Sequence, residues 1–158
     1  MKRIVVIGSG GSGKTSLSNR LAAKLELPVY YLDSVFWGPN WKPVERSEYL
    51  DEVTRIVNTD SWVIDGNYSS SFDLRFLKAD TIIFLDRSPL LCLFRVIGRR
   101  IKYAGHTRPS MTDGNNERLT WAFVSYVLGY RITRRPSILK RLELIDHARV
   151  EVLRSNSD

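Results

Sequence analysis

The chain has 158 residues, of which 43% are hydrophobic and 26% charged, which is typical of one soluble globular domain and excludes disordered, fibrous and repeat proteins. Its net charge of +7 is concentrated between residues 87 and 141, which hold twelve Lys and Arg but only two acidic residues, so a polyanionic partner is expected there. No apolar run approaches the roughly 20 residues of a membrane span, and the one cysteine excludes an internal disulfide, so we predict a cytoplasmic protein without membrane contact.

The first predicted elements are a strand and a helix joined by a glycine-rich loop. Residues 4–7 are a short β-branched run that predicts a buried strand, and Leu17, Leu21 and Leu25 then recur at helical spacing. The loop between them reads GSGGSGKTS, from residue 8 to residue 16. Its glycines fit the dinucleotide pattern G-x-G-x-x-G, and the same loop fits the mononucleotide P-loop pattern G-x-x-x-x-G-K-[ST].

The lysine and threonine favour the second pattern. A nicotinamide-binding protein needs no Lys-Thr pair after its third glycine, although Asp33, twenty residues after Gly13, could bind a ribose. In a P-loop, Lys14 reaches the β- and γ-phosphates and Thr15 binds Mg²⁺. We therefore predict ATP and Mg²⁺ as ligands, and the predicted nucleotide-binding residues of the loop are Gly8, Ser9, Gly10, Gly11, Ser12, Gly13, Lys14, Thr15 and Ser16.

The next elements alternate between strands and helices. Residues 28–33, 61–66 and 81–86 predict strands with Asp33, Asp65 and Asp86 at or next to their carboxyl ends, and a helix capped by Ser47 lies between the first two strands. Because ligands gather beyond the carboxyl ends of parallel strands, Asp65 is the predicted second ligand of the metal. Asp33 could act as a general base toward an acceptor hydroxyl or could help to hold Mg²⁺.

The second half continues this alternation. Ser88-Pro89 begins a helix that carries Leu90, Phe94, Ile97 and Ile101 at helical spacing, and residues 105–116, rich in Gly, Pro, Asn and Asp, predict a mobile loop. Residues 119–132 and 136–146 predict helices, and residues 148–154 predict a last strand. The order predicts an α/β fold, a five-stranded parallel sheet with helices on both faces.

The basic residues leave two kinds of function open. Arg95, Arg99 and Lys102 form a stripe on the helix after residue 88, either a solvated face or a phosphate-binding face that leads into the mobile loop. The absence of an N-K-x-D motif argues against a GTPase switch, so a small kinase is favoured. The alternative is a nucleic-acid-binding or regulatory module in which the aromatic residues of segment 121–130 stack on bases. Two apolar stripes there, Trp121-Val124-Leu128 and Phe123-Val127-Tyr130, instead favour a buried helix.

Several motifs together resemble a known family. The matching segments are GSGGSGKTSL, YLDSVFW, WVIDGNYSSSFDLR, ADTIIFLDR, RVIGRR, RPSM followed by ERL, and RRP, which span nearly all of residues 1–154. The chain resembles the DNA topology modulation protein family, small P-loop proteins classed with adenylate kinases. The resemblance implies one nucleoside-monophosphate-kinase-like domain over residues 1–158, with an acceptor-binding segment at 34–60 and a lid at 103–117. It also implies that Arg95 packs against the nucleotide base and that Arg99 touches the transferred phosphates.

The acceptor itself is not predicted. Phe36, Trp37 and Trp41 could stack on an acceptor ring or could simply cover the core, and Asn67 and Tyr68 could line the same cleft. Arg46 and Arg75 are candidate anion clamps, whereas the roles of Arg108 and Arg118, and the oligomeric state, stay open.

Overall fold

The computed structural model describes residues 1–155 and shows an α/β fold; residues 156–158 of the predicted domain lie outside the described part. In chain order, the elements are β1 (Arg3–Gly8), α1 (Lys14–Leu25), β2 (Val29–Tyr31), α2 (Leu32–Phe36), β3 (Trp37–Gly38), β4 (Lys42–Pro43), α3 (Arg46–Val57), β5 (Trp62–Asp65), α4 (Phe72–Lys78), β6 (Thr81–Leu85), α5 (Pro89–Lys102), α6 (Trp121–Thr133), α7 (Arg135–Leu142) and β7 (Arg149–Leu153). Single 3-10 turns lie at Pro39–Trp41 and Ser69–Ser71.

Five strands form one parallel sheet in the order β2-β5-β1-β6-β7, as predicted. The central strand β1 lies between β5 and β6, with Val5 opposite Ile64 on one side and Ile82 on the other. Residues 4–7 are completely buried because helices cover both faces of the sheet, which explains their unbroken apolar run. The carboxyl ends of all five strands therefore share one edge, where the glycine loop also begins.

Each face of the sheet has its own apolar core. On one face, alternate residues such as Val6 and Ile83 pack against Ala22 and the leucines of α1. On the other face, residues such as Val5 and Phe84 pack against side chains of α3, α4 and α7. The result is a three-layer helix–sheet–helix arrangement.

Two local predictions are wrong. Strand β2 ends at Tyr31, so Asp33 is the second residue of helix α2 rather than the end of a strand. Helix α3 begins at Arg46 after Glu45, so Ser47 lies inside its first turn and does not cap it. The short elements α2, β3, β4 and α4 were not predicted, because each has too few residues to show a periodicity.

The side of α5 that faces the domain is not the side that carries its stripe of large apolar residues. In α6, only one of the two apolar stripes faces the domain. In α5, the inward residues are Cys92 and Val96, whereas Phe94 and its apolar neighbours on the same stripe are exposed. In α6, Val127 and Tyr130 are buried and Phe123 is half-buried, but Trp121 keeps 86% of its surface exposed. The prediction that both stripes of this helix are buried is therefore wrong for the Trp121-Val124-Leu128 stripe.

Candidate active site

The glycine loop turns from β1 into α1 at the ligand edge of the sheet. Gly11 and Gly13 adopt φ values of +77° and +98°, a conformation that side chains disfavour. A Cβ atom on Gly11 would lie 2.2 Å from the Cys92 carbonyl oxygen, and one on Gly10 would lie 2.6 Å from the Phe123 ring. Glycine is therefore required both for the turn and for the close packing of α5 and α6 on the loop.

The Lys14 side chain folds back onto the start of this loop. Its Nζ donates hydrogen bonds of 2.9 Å to the carbonyl oxygens of Gly8 and Ser9. Burial lowers the pKa of Lys14, and the carboxylates of Asp65 and Asp33 oppose this shift. A desolvated ammonium group held above a helix N-terminus is a strong binding element for a polyanion.

Thr15 and Asp65 form a pair beside the lysine. The Thr15 hydroxyl donates a 2.6 Å hydrogen bond to Asp65 Oδ2, while Asp65 Oδ1 is buried without a hydrogen-bond partner. Burial raises the pKa of Asp65, against the effect of Lys14 and of the Thr15 hydrogen bond. A threonine hydroxyl and a carboxylate oxygen that lacks a donor are hard oxygen ligands and therefore fit Mg²⁺.

The metal would need further ligands from elsewhere. Within residues 1–155, no three His, Cys, Asp or Glu side chains gather as a metal cage. Magnesium commonly keeps several waters and binds through one or two protein oxygens together with substrate phosphates. The Thr15–Asp65 pair matches that mode of binding.

Two arginines of the stripe on α5, Arg95 and Arg99, reach toward the loop, whereas Lys102 is exposed. Arg95 Nη1 donates to the Ser12 carbonyl oxygen at 3.3 Å, and Arg99 Nε donates to Glu117 Oε1 at 2.7 Å. Glu117 is buried and also lies 3.7 Å from the Nε of Arg108. Burial and the neighbouring Arg108 lower the pKa of Arg99. Glu117 thus holds two guanidinium groups near the loop, a role that no sequence pattern indicated.

The segment after α5 is closed over the region around α2. Arg108 donates to Asp33 Oδ2, and Tyr68 donates a 2.8 Å hydrogen bond to Asp33 Oδ1. Thr112 donates to the Trp37 carbonyl oxygen at 2.6 Å. Asp33, Arg99 and Arg108 therefore lie close enough to Lys14 for their charges to act on its pKa.

Asn115 fixes the segment after α5 to the β3–β4 hairpin. Its Oδ1 accepts the Trp41 backbone N–H at 2.6 Å, and its Nδ2 donates to the Gly38 carbonyl oxygen at 2.9 Å. Arg118 stacks on the Trp41 ring with 4.4 Å between the guanidinium carbon and the ring centroid. The hairpin and residues 105–118 therefore form one closed surface in this structure.

The aromatic residues near Asp33 pack on one another. The Phe36 ring lies 4.9 Å from both the Trp37 and the Tyr68 rings, and Trp37 lies 5.7 Å from Trp41. Phe36 also contacts the buried Tyr49 at 5.7 Å. These contacts favour the core-covering interpretation of the cluster.

Arg75 is not an anion clamp, which corrects the prediction. Its side chain is fully buried, and it donates to the carbonyl oxygens of Gly66, Asn67 and Tyr68 at 2.8, 2.9 and 3.0 Å. Burial lowers its pKa to about 10. Arg75 therefore shapes the loop after β5, whereas Arg46 is exposed at the start of α3.

That loop fixes the start of the glycine loop. Asn67 Oδ1 accepts the Gly8 backbone N–H at 2.9 Å, and Asn67 Nδ2 donates to the Tyr126 hydroxyl at 2.8 Å. Asn67 thus connects the loop to α6. The sequence predicted that Asn67 could line the cleft but did not indicate its hydrogen bond to Tyr126, because the two residues are 59 positions apart.

Comparisons with known proteins identify the fold. No protein-family model and no curated protein matches the chain. A gluconokinase from Sinorhizobium meliloti 1021 has a similar solved structure, with a TM-score of 0.52 and 17% identity over 98% of this chain and 83% of that one. A shikimate kinase from Bacteroides thetaiotaomicron gives a TM-score of 0.50 and 21% identity over 96% of this chain and 85% of that one.

No helix in the described residues 1–155 has both the length and the apolar character needed to cross a bilayer.

The five-stranded parallel sheet, its strand order and the two similar kinase structures together show the fold class. The chain has the three-layer P-loop fold of the nucleoside-monophosphate-kinase-like kinases.

Proposed function

We propose that this protein is a phosphotransferase that moves the γ-phosphate of ATP to a small acceptor, with Mg²⁺ as cofactor. The observation that carries the proposal is the joint placement of Lys14, the Thr15–Asp65 pair and the arginines of α5 at one glycine loop. The two similar kinase structures support it, since both are P-loop enzymes named for small-molecule substrates.

The donor side follows from the chemistry of these residues. The loop amides and Lys14 would bind the β- and γ-phosphates, with Thr15 and Asp65 holding the metal. When bound, Mg²⁺ supplies charge neutralisation at the phosphate oxygens. Arg99, held by Glu117, would stabilise negative charge on the transferred phosphoryl group, and Arg95, at the Ser12 carbonyl, would help to position the nucleotide.

The acceptor side centres on Asp33. Its carboxylate accepts hydrogen bonds from Tyr68 and Arg108, which fix its orientation, and its side chain keeps 40% of its surface exposed. In this position Asp33 would take the proton of an acceptor hydroxyl as that hydroxyl attacks the γ-phosphate. Arg108 would use its remaining guanidinium N–H groups to bind an anionic group of the acceptor or the transferred phosphate, while its Nη2 keeps Asp33 in place.

The segment at 34–60 and the lid at 103–117 would exclude water from this reaction. The closed arrangement through Thr112, Asn115 and Arg118 supports that assignment, because hydrolysis competes with transfer in an open site. The motifs of the sequence further support membership of the DNA topology modulation protein family.

The test is to follow the label of γ-labelled ATP with Mg²⁺ in a panel of nucleotides, nucleosides, sugars and other small alcohols. Label in one organic acceptor, lost in Asp33→Asn and Lys14→Ala, is expected. Label that appears only in inorganic phosphate with every compound would contradict the kinase and favour a regulatory ATPase. A dependence of phosphate release on added DNA would favour the nucleic-acid module.

A further inference from the structure

Asn67 contacts the glycine loop with one end of its side-chain amide and helix α6 with the other. Its Oδ1 accepts the Gly8 backbone N–H at 2.9 Å, and its Nδ2 donates a 2.8 Å hydrogen bond to the Tyr126 hydroxyl. The Tyr130 hydroxyl, one turn further along α6, donates to the same Oδ1 at 3.4 Å. Two tyrosines of α6 and the first residue of the loop therefore meet at a single amide group.

The chemistry of the partners determines which end of this amide faces the loop. A backbone N–H can only donate, so the atom opposite Gly8 has to be the amide oxygen. The amide nitrogen then faces Tyr126, whose hydroxyl can accept. Among side chains of this length, only an amide can accept from the loop and donate to the helix, whereas a leucine of similar size makes neither bond.

The backbone of Asn67 is itself fixed by Arg75. The buried guanidinium of Arg75 donates to the carbonyl oxygens of Gly66 and Asn67 at 2.8 and 2.9 Å. Strand β5 ends at Asp65, and the Gly66 N–H still donates to the Val6 carbonyl oxygen of β1 at 3.1 Å. The Asn67 side chain therefore adds one more hydrogen bond to β1 beyond the end of strand β5.

Helix α6 also packs directly on the loop. A Cβ atom on Gly10 would lie 2.6 Å from the Phe123 ring, which shows how closely that ring approaches the loop backbone. Phe123, Tyr126 and Tyr130 are three and four residues apart, so they share one side of the helix. Neighbouring rings of this aromatic side lie 6.0 and 5.6 Å apart. The aromatic side of α6 thus supports the loop directly as well as through Asn67.

A loop that is held in place before the nucleotide arrives binds it more tightly. Several loop amides must face the phosphates at once, and glycines allow the backbone many other conformations. The apparent dissociation constant rises in proportion as the fraction of molecules with a competent loop falls. Because Gly8 is buried, its N–H needs a protein acceptor, and without Asn67 the loop would have to change conformation to supply one.

We propose that Asn67 is a positioning residue for nucleotide binding, which transmits the support of α6 to the start of the glycine loop. This inference rests on the proposed function, because it assumes that the loop binds the triphosphate of ATP. It gives Asn67 and Tyr126 an effect on nucleotide affinity that does not depend on contact with the ligand.

Calorimetric titration of the whole chain with Mg²⁺ and a non-hydrolysable ATP analogue tests the proposal without requiring turnover. Asn67→Leu should raise the dissociation constant at least about tenfold, as expected when the competent fraction of the loop falls to about one tenth. Tyr126→Phe should raise it by a smaller factor, and it should have no further effect when combined with Asn67→Leu. Tyr31→Phe is the matched control, because the Tyr31 hydroxyl bonds instead to Asn19 of α1 at 2.6 Å, and it should bind as the wild type does.

Binding by the wild type that Asn67→Leu leaves unchanged would overturn the positioning role while the proposed function stands. An effect of Tyr126→Phe that is equally large with and without Asn67 would also overturn it, because the tyrosine would then act by another route. A wild type that does not bind the analogue would instead contradict the proposed function, and this inference with it.

Melting temperatures show whether each variant is folded. A purely structural role of Asn67 would lower the melting temperature of Asn67→Leu but leave its dissociation constant unchanged well below that temperature. If Asn67→Leu does not fold, Tyr126→Phe still decides the question, because it removes one hydroxyl only and an unchanged dissociation constant would contradict the proposal.

Discussion

Arg75 offers the sharpest test of how the site is built. The prediction concerns Arg75→Met, which removes a fully buried guanidinium but keeps most of the side-chain volume. The substitution would leave three carbonyl oxygens of the loop after β5 without their donors, and it would also end the 3.0 Å hydrogen bond from Arg75 Nε to Ser71 Oγ.

The magnitude follows from these lost bonds. A buried polar group left unsatisfied costs about 1–3 kcal/mol, and relief from burying the charge offsets part of this cost. We expect a net loss of about 3–5 kcal/mol, because three carbonyl oxygens lose their donor at about 1–3 kcal/mol each and the relief from burying the charge offsets part of that sum. For a domain of this size, each 1 kcal/mol lowers the melting temperature by about 2–4 °C, so Arg75→Met should melt about 6–20 °C lower.

Thermal unfolding by circular dichroism measures this effect. Arg46→Met is the matched control, because it makes the same change in charge at an exposed position and should shift the melting temperature by less than about 2 °C. If Arg75→Met melted within about 2 °C of the wild type, the side chain would not support the loop.

Three further predictions concern chemistry and pH. Lys14→Ala should fold normally but lose at least about a hundredfold in phosphoryl transfer, measured with labelled ATP; undiminished transfer would remove its assigned role. Arg99→Ala should lower kcat more than it weakens ATP binding, measured by steady-state kinetics and calorimetry, because the arginine acts on charge that develops during transfer; an equal kcat would return it to a structural partner of Glu117. Stability should fall as pH rises above about 10, because burial raises the pKa of four tyrosines that stay protonated when folded but ionise when unfolded. These tyrosines are Tyr49, Tyr68, Tyr126 and Tyr130. Each should lower the free energy of unfolding by up to about 1.4 kcal/mol per pH unit, as measured by urea unfolding. An unfolding free energy that stays constant up to pH 11 would contradict this prediction.

The sequence predicted the parts of the fold that depend on local pattern. The unbroken apolar runs of β1, β5 and β6 identified buried strands, because a parallel strand covered on both faces needs apolar residues at every position. The glycine loop could also be identified from the sequence, because its backbone conformation and phosphate contacts require fixed residue types at fixed spacing.

The orientation of α5 and α6 could not be predicted from periodicity. A stripe of large apolar residues normally faces the core. In α5 the smaller Cys92 and Val96 face inward instead, because the glycine loop approaches so closely that a Cβ atom on Gly11 would already clash with the Cys92 carbonyl oxygen. Only the tertiary structure shows that this side of the helix has no room for a phenylalanine.

Long-range polar partners were also beyond the sequence. Glu117 binds both Arg99 and Arg108, and Asn115 accepts a hydrogen bond from Trp41 of the hairpin, 74 residues before it. A single glutamate or asparagine in a loop carries no pattern, because its partner is set by how the chain closes. Asp33 is the opposite case. The sequence predicted a place for it at the site, and it lies there in contact with Arg108, although strand β2 ends two residues before it.

The central claim is that the glycine loop binds a nucleoside triphosphate, and ligand-induced stabilisation tests it most directly. With Mg²⁺-ATP at 100 times its dissociation constant, the native state should gain about 2.7 kcal/mol. The melting temperature of the wild type should then rise by about 5–11 °C, with a much smaller rise for Lys14→Ala at the same concentration. No rise with Mg²⁺-ATP beside a clear rise with NAD would contradict the account.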